Sequence, residues 1–134
     1  MTRAEIQIIQ DTFPLMQEMA GPMTQLFYGR LFQTAPELRS MFRGDIKVQG
    51  RKFSDMLTAL VEALPALDRY TDTLRAMGQR HVGYGVKPEH YPIVAQALLW
   101  ALAQALEPEL TPATKAAWAA LISEIAKRMT AGQS

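Results

Sequence analysis

Apolar residues recur along most of this chain at intervals of three and four, the spacing that places side chains on one face of an α-helix. Thr2 and Glu5 are spaced as a capping box and predict the start of the first helix. We expect Pro14 to bend this helix or to end it early. Its apolar stripe comprises Ile6, Ile9, Phe13 and Met16.

Proline marks the start of the next two helices. The dipeptide "GP" precedes a second helix containing "MTQLFYGRLF", in which Tyr28 lies among apolar residues. Thr34 is spaced as the cap of a short third helix, with Pro36 in its first turn. This third helix leads to Phe42.

The same spacing predicts four further helices. Their expected spans are 49–65, 71–82, 88–106 and a last helix capped by Thr111. In the 71–82 helix, Leu74, Met77 and His81 point the same way. Almost no segment shows the strict alternation of a half-buried strand, so the predicted fold class is all-α.

Composition narrows the function classes. The 134 residues suffice for one domain over 1–134, with 49% hydrophobic residues, 20% charged residues and a net charge of +1. This balance does not favour binding to nucleic acid or to an anionic membrane. The lack of cysteine excludes thiolate zinc sites, iron–sulfur clusters and cysteine nucleophiles. The N-terminus has no signal-like apolar core, and "ALLWALA" is too short to span a bilayer, so we expect a cytoplasmic protein.

Both histidines of the chain lie within "GQRHVGYGVKPEHY". A lone histidine is often a structural residue, and that alternative stays open for His81. A multi-histidine metal site would need several converging ligands, but the chain has only His90 besides and no Glu-x-x-His sequence. Haem brings four nitrogens of its own and requires a single protein ligand in an apolar setting.

Six stretches, in this order, resemble the globin family: "FYGRLF", "APELRSMF", "QGRKF", "RHVGYGV", "HYPIV" and "AAW". The chain is most similar to single-domain bacterial haemoglobins related to the globin domain of flavohaemoglobins. This resemblance covers nearly all of the chain. It implies a three-over-three helical sandwich around one haem b.

The resemblance also assigns roles to residues. It implies that His81 is the proximal iron ligand and that Phe42 stacks on the haem. Tyr28, Gln49 and Phe53 would lie on the distal side, where Tyr28 donates a hydrogen bond to a bound diatomic molecule. Gln49 would either donate to the same ligand or swing into solvent as a gate, and we expect an open distal site, with the iron pentacoordinate or water-ligated. Phe53 departs from the family's smaller aliphatic residue, and we expect its ring to narrow the ligand cavity or to press on Tyr28. The expected remaining pocket residues are Leu57, Met77, Val86, Tyr91, Val94 and Leu98, with Lys52 and Arg80 paired to the propionates and His90 near the haem edge.

These assignments predict a protein that binds oxygen reversibly, and also nitric oxide and carbon monoxide, as a monomer or homodimer. An alternative is a nitric oxide dioxygenase or nitrite reductase. Because the 134 residues contain no Gly-x-Gly-x-x-Gly fingerprint, such turnover would need a separate reductase. In flavohaemoglobins a glutamate supports the proximal histidine; the matching Gln133 carries no charge, which weakens the enzyme hypothesis. A haem-free helical sensing or interaction domain is the third hypothesis.

Overall fold

The structure, a computed structural model, describes residues 1–42, 44–107 and 110–131. These ranges hold six α-helices, two short 3₁₀ helices and no strand. The α-helices are α1 (Arg3–Glu18), α2 (Ala20–Thr34), α3 (Ile46–Ala63), α4 (Thr71–Gly83), α5 (His90–Leu106) and α6 (Pro112–Thr130). The 3₁₀ helices are Pro36–Met41, before α3, and Leu67–Tyr70, before α4. The all-α prediction is confirmed.

Two of the predicted helix starts are formed as capped ends. Thr2 accepts a hydrogen bond from the Glu5 amide at 3.1 Å, while the Glu5 carboxylate accepts one from the Thr2 amide at 2.7 Å. This bond from the Thr2 backbone lowers the pKa of Glu5. Thr111 caps α6 by accepting a hydrogen bond from the Thr114 amide at 3.1 Å. Local side-chain chemistry therefore sets both helix starts.

Several helix boundaries differ from the sequence-based expectation, and two of them differ by two residues: α2 begins at Ala20, ahead of Pro22, and α5 begins at His90. Helix α1 continues through Pro14 to Glu18, because the buried residues on either side of the proline remain packed in the core. Thr34 is the last residue of α2 and does not cap the next helix; its hydroxyl donates to the Arg30 carbonyl at 2.9 Å. Helix α3 begins earlier than predicted because Asp45 accepts a hydrogen bond from the Lys47 amide at 2.8 Å.

The main helix pairings bury one hydrophobic core. Helix α2 packs on α5, while α1, α4 and α5 all pack on α6. At the α1–α6 contact, Trp118 is buried and its indole N–H donates to the Thr12 hydroxyl at 2.9 Å. This bond satisfies the one polar atom that the Trp118 side chain brings into the core. No helix in the described ranges is long and apolar enough to cross a membrane.

Helices α2 and α3 meet at Gly50, which is buried. A β-carbon placed at Gly50 would lie 3.4 Å from the β-carbon of Thr24. The missing side chain therefore allows the two backbones to approach closely. This crossing determines how α3 presents Gln49 and Phe53 relative to Tyr28 on α2.

Helix α4 is positioned by contacts with α6. Arg128 on α6 forms ion pairs with Asp68 and Glu124, each at 2.9 Å, and donates to the Thr71 hydroxyl at 2.8 Å. The start of α4 is thereby tied to α6. Among the described residues, α3 and α4 follow each other along the chain but do not pack against each other. Gln49 and Phe53, the predicted distal residues of α3, and His81, the predicted proximal ligand on α4, therefore lie on helices that do not contact each other within the described ranges.

Candidate functional site

His81 lies near the end of α4 and is half-buried. Its Nδ1 atom is 2.7 Å from the carbonyl oxygen of Met77. A carbonyl can only accept a hydrogen bond, so this contact requires the proton on Nδ1. The lone pair then resides on Nε2, and the ring orientation is held by the helix itself. His81 is prepared in this way to coordinate a metal through Nε2.

The backbone turns sharply after His81. Its carbonyl oxygen accepts hydrogen bonds from the amides of Tyr84 and Val86, each at 3.0 Å. Gly85 makes the turn with a φ of 92°, a conformation that strains side-chain-bearing residues. Tyr84 stays exposed, with its ring centroid 6.1 Å from that of His81. The turn keeps half-buried Val86 close to the end of α4.

Tyr28 lies in a cluster of aromatic rings at the centre of the predicted distal region. Its ring centroid is 4.8 Å from that of Phe27, 5.9 Å from Phe32 and 5.5 Å from Phe42. The Phe42 ring meets Tyr28 edge-on, at 80°. These rings restrict the rotamer of Tyr28 and place the predicted haem-stacking residue directly beside the predicted hydrogen-bond donor.

Burial raises the pKa of the Tyr28 phenol further above the physiological range. Only 5% of Tyr28 is exposed, and desolvation of the charged form raises the pKa of its hydroxyl to about 12. The hydroxyl is therefore neutral at physiological pH and retains its proton for donation. In an otherwise aromatic setting, Tyr28 supplies a polar O–H group next to Phe42.

Phe53 and Gln49, the other two predicted distal residues, differ in their burial. Phe53 is half-buried and stacks on Phe27 with a centroid distance of 5.9 Å, and Phe27 in turn contacts Tyr28. The expected effect of Phe53 on Tyr28 would therefore be indirect, because the Phe27 ring contacts both residues. Gln49 lies one turn before Phe53 on α3 and is exposed. Its amide has access to solvent at the start of α3.

The remaining predicted pocket residues occupy α3, α4, α5 and the turn before α5. The buried members are Leu57 and Leu98, and the half-buried ones are Met77, Val86, Tyr91 and Val94. The hydroxyl oxygen of Tyr91 is shielded from solvent. Lys52 and Arg80 are exposed. An apolar lining with charged groups in water is the arrangement that a haem, with its apolar ring and charged propionates, requires.

His90 has a local structural role. Its Nδ1 atom accepts a hydrogen bond from the Lys87 amide at 3.0 Å, which closes the turn leading into α5. The proton of the neutral ring then lies on Nε2. Gln133, the predicted counterpart of the flavohaemoglobin glutamate, lies outside the described residues.

Arg39 belongs to the same region, although the sequence pattern did not single it out. Its guanidinium donates to the Phe42 carbonyl at 3.3 Å and lies over the Phe32 ring, 5.1 Å from the centroid. The only sequence signal is the spacing of three between Arg39 and Phe42, which places both on one side of a 3₁₀ turn. That spacing is too common to identify a site residue.

Comparison with known proteins agrees with this fold. The family model described as Globin matches residues 25–129, and the chain belongs to the globin family. A bacterial globin of known structure from Campylobacter jejuni is 31% identical, with a TM-score of 0.78 over 96% of this chain and 93% of that one. The predicted globin fold and the resemblance to bacterial globins are confirmed.

The chain is also similar to one longer sequence relative and to one further solved structure. The flavohemoprotein of Bacillus subtilis is 33% identical over 116 residues, which cover 84% of this chain but only 29% of that protein. This chain thus spans less than a third of that relative's length. An engineered carbene transferase described as a putative nitric oxide dioxygenase from Rhodothermus marinus has a TM-score of 0.87 over 98% of this chain and 92% of that one. At 24% identity, this second likeness supports the fold alone.

Proposed function

We propose that this protein is a haem b globin that binds oxygen reversibly, and also nitric oxide and carbon monoxide, for oxygen storage, delivery or scavenging. The observation that carries the proposal is the 2.7 Å contact between His81 Nδ1 and the Met77 carbonyl. It leaves the Nε2 lone pair available as the single protein ligand that haem needs. Membership of the globin family supports the same role.

When bound, haem would supply an iron atom that binds a diatomic molecule reversibly. The residues that would hold the group are His81 as metal ligand, Phe42 as the stacking ring, and the half-buried apolar side chains of α3, α4 and α5. Lys52 and Arg80 are exposed and suit the propionates at the solvent edge. Tyr28 and Gln49 are the polar residues proposed for the distal side.

Tyr28 would determine how long a polar diatomic ligand stays bound. Its hydroxyl is protonated throughout the physiological range, as in an ordinary tyrosine, and burial, which raises its pKa to about 12, extends this to alkaline pH. A hydrogen bond in an aromatic setting stabilises a ligand that carries partial negative charge. Gln49 is exposed, and we assign it the role of a gate that faces solvent.

A second candidate is a nitric oxide dioxygenase or nitrite reductase that works with a separate reductase. The similarity to the Bacillus subtilis flavohemoprotein favours it, because that name implies a flavin besides haem, and the match covers only 29% of that longer protein. Re-reduction of the iron would then depend on an electron donor outside the globin domain. Mixing the ferric protein with a candidate flavin reductase and its reduced nicotinamide cofactor tests this function: rapid reduction supports it, and no reduction argues for the carrier.

The proposal also includes a single globin domain over 1–134, a cytoplasmic location, and a monomeric or homodimeric state. None of these affects the first experiment, which is an absorption spectrum of the purified protein in the ferric state, in the ferrous state without oxygen, and in the ferrous state in air. A strong Soret band and a ferrous spectrum that changes reversibly with oxygen would support the carrier. If no Soret band forms after haem is added, the proposal fails and a haem-free interaction or sensing domain replaces it.

A six-coordinate ferrous spectrum before any ligand is added would show that a protein side chain occupies the sixth position. That result would contradict the open distal site and would favour electron transfer or sensing. Carbon monoxide binding separates the two cases, since an internal ligand must leave before carbon monoxide enters. With an internal ligand, the rate of carbon monoxide binding would become independent of the carbon monoxide concentration when carbon monoxide is in large excess.

A further inference from the structure

We propose that Arg39 is a positioning residue that fixes the rings of Phe42 and Phe32 and, through them, the hydroxyl of Tyr28. The inference rests on the proposed haem-binding function, because it concerns the residues assigned to stack on haem and to face the ligand. Arg39 itself is exposed and is not placed in contact with haem or ligand.

Arg39 holds two aromatic residues with one side chain. Its Nη1 atom donates to the Phe42 carbonyl at 3.3 Å, while the guanidinium carbon lies 5.1 Å from the centroid of the Phe32 ring. A second hydrogen bond joins the same two residues, because the Phe42 amide N–H donates to the Arg39 carbonyl at 3.2 Å. The end of the Pro36–Met41 helix is thereby joined to α2.

The rings of Phe32, Phe42 and Tyr28 each contact the other two. The Phe32 and Phe42 centroids are 5.4 Å apart at 71°, Phe42 and Tyr28 are 5.5 Å apart at 80°, and Tyr28 and Phe32 are 5.9 Å apart at 25°. Arg39 contacts the ring of Phe32 and the backbone of Phe42, so a shift at either residue changes the space available to the Tyr28 ring. The position of the Tyr28 hydroxyl therefore depends on a residue that lies outside the pocket.

The planar guanidinium is specifically suited to this role. It can stack flat on the Phe32 ring and donate in its own plane to the Phe42 carbonyl at the same time. A lysine ammonium is a compact point charge and cannot keep both contacts with the same geometry. Phe42 adopts an extended backbone conformation, with φ −96° and ψ 95°, directly after the last residue of the Pro36–Met41 helix. The Arg39 side chain thus supports a residue at a helix end.

The chain contains a matched control. Arg30 on α2 lies over the Trp100 ring at 5.0 Å, so it makes the same kind of stacking contact but on α5. The test compares Arg39→Lys and Arg39→Met with Arg30→Lys and Arg30→Met in the haem-loaded protein. The readouts are the rate of haem transfer to excess apomyoglobin and the rate of oxygen dissociation.

We expect both Arg39 variants to accelerate haem transfer and oxygen dissociation by roughly fivefold, as the loss of one stacking contact and one hydrogen bond implies. The Arg30 variants should change either rate by less than about twofold. Equal changes at the two arginines would overturn the proposal, because they would reflect general loss of stability. Unchanged rates in the Arg39 variants would overturn it as well.

The route through Tyr28 is tested by adding Tyr28→Phe to each Arg39 variant. If Arg39 acts on the ligand by placing the Tyr28 hydroxyl, its effect on oxygen dissociation disappears when that hydroxyl is absent. A full Arg39 effect in the Tyr28→Phe background would overturn this part of the proposal.

A measurement without haem separates this inference from the proposed function. In the haem-free protein, NMR contacts between the Phe32 and Phe42 rings should weaken in Arg39→Met and persist in Arg30→Met. Retention of those contacts in Arg39→Met would overturn the positioning role, even in a protein that binds haem. If wild-type protein binds no haem while the ring contacts behave as expected, only the proposed function fails.

Discussion

His81 and His90 are held by the backbone in opposite tautomers. His81 donates from Nδ1 to the Met77 carbonyl, whereas His90 accepts at Nδ1 from the Lys87 amide. A neutral imidazole with its proton on Nδ1 offers Nε2 as a metal ligand, and one with its proton on Nε2 does not. The two histidines of this chain are therefore chemically distinct, although they lie only nine positions apart.

The first prediction concerns the metal ligand. His81→Gly should abolish stable haem retention, because no other residue is assigned to the iron, and added imidazole should restore part of the Soret absorbance by replacing the missing ring. His90→Ala serves as the control and should leave the ferric spectrum unchanged. A wild-type Soret band in His81→Gly without imidazole would contradict the assignment.

The second prediction concerns ligand release. Tyr28→Phe removes one hydroxyl from the distal region and should raise the oxygen dissociation rate by roughly tenfold, the equivalent of about 1.4 kcal/mol. Haem content should not change, since the aromatic ring is retained. Stopped-flow displacement of oxygen by carbon monoxide measures the rate. The exposed Tyr84 offers a matched control, because Tyr84→Phe removes the same atom away from the cluster; if both variants release oxygen equally fast, the distal role of Tyr28 is wrong.

The third prediction concerns alkaline pH. Folding raises the pKa of the Tyr28 phenol from its ordinary value of 10.0 to about 12, because burial disfavours the phenolate. The native state thus favours the protonated form, and this contribution to stability is complete below pH 10 and is lost as the pH rises toward 12. The free energy of unfolding, measured in urea across that range, should fall less steeply in Tyr28→Phe than in wild type. Identical pH profiles would contradict the burial of this hydroxyl.

The fourth prediction concerns the α2–α3 crossing. Gly50→Ala places a methyl group 3.4 Å from Thr24, at the lower edge of ordinary contact, so we expect a gain of at most about 1 kcal/mol from helix propensity. Gly29→Ala on α2 meets no atom within 4 Å and reports the propensity gain alone. Gly50→Leu should cost about 1–3 kcal/mol, because the side chain forces the helices apart. Urea unfolding of the haem-free variants measures all three, and a stabilising Gly50→Leu would refute the close crossing.

Much of the local structure could be predicted from residue patterns. The Thr2 and Glu5 capping box, the Thr111 cap and the 71–82 helix all depend on residues within four positions of one another. The same holds for His81, whose orienting partner Met77 lies one helical turn earlier. Interactions of this range are encoded in the spacing of side chains, so the expected pattern and the structure agree.

Thr34 shows where a local pattern was misleading. A threonine followed by proline and glutamate fits a helix cap, but it fits equally well a hydroxyl that bonds back to its own helix. The second alternative prevails because α2 extends to Thr34 and packs on α5. The extent of the packed helix α2 therefore decides which of the two local hydrogen bonds Thr34 makes.

The sequence by itself determined the helical class, the capped helix starts at Thr2 and Thr111 and the position of His81 one turn after Met77, because these follow from contacts within one or two turns. Only the tertiary structure decided that Phe53 stacks on Phe27, that Gly50 sets the α2–α3 crossing and that Arg39 holds Phe42 and Phe32 together. Two of these relationships join residues far apart along the chain, and the third joins a helix end to the ring of a residue on α2. Their geometry depends on how whole helices pack, which no spacing within a single helix specifies.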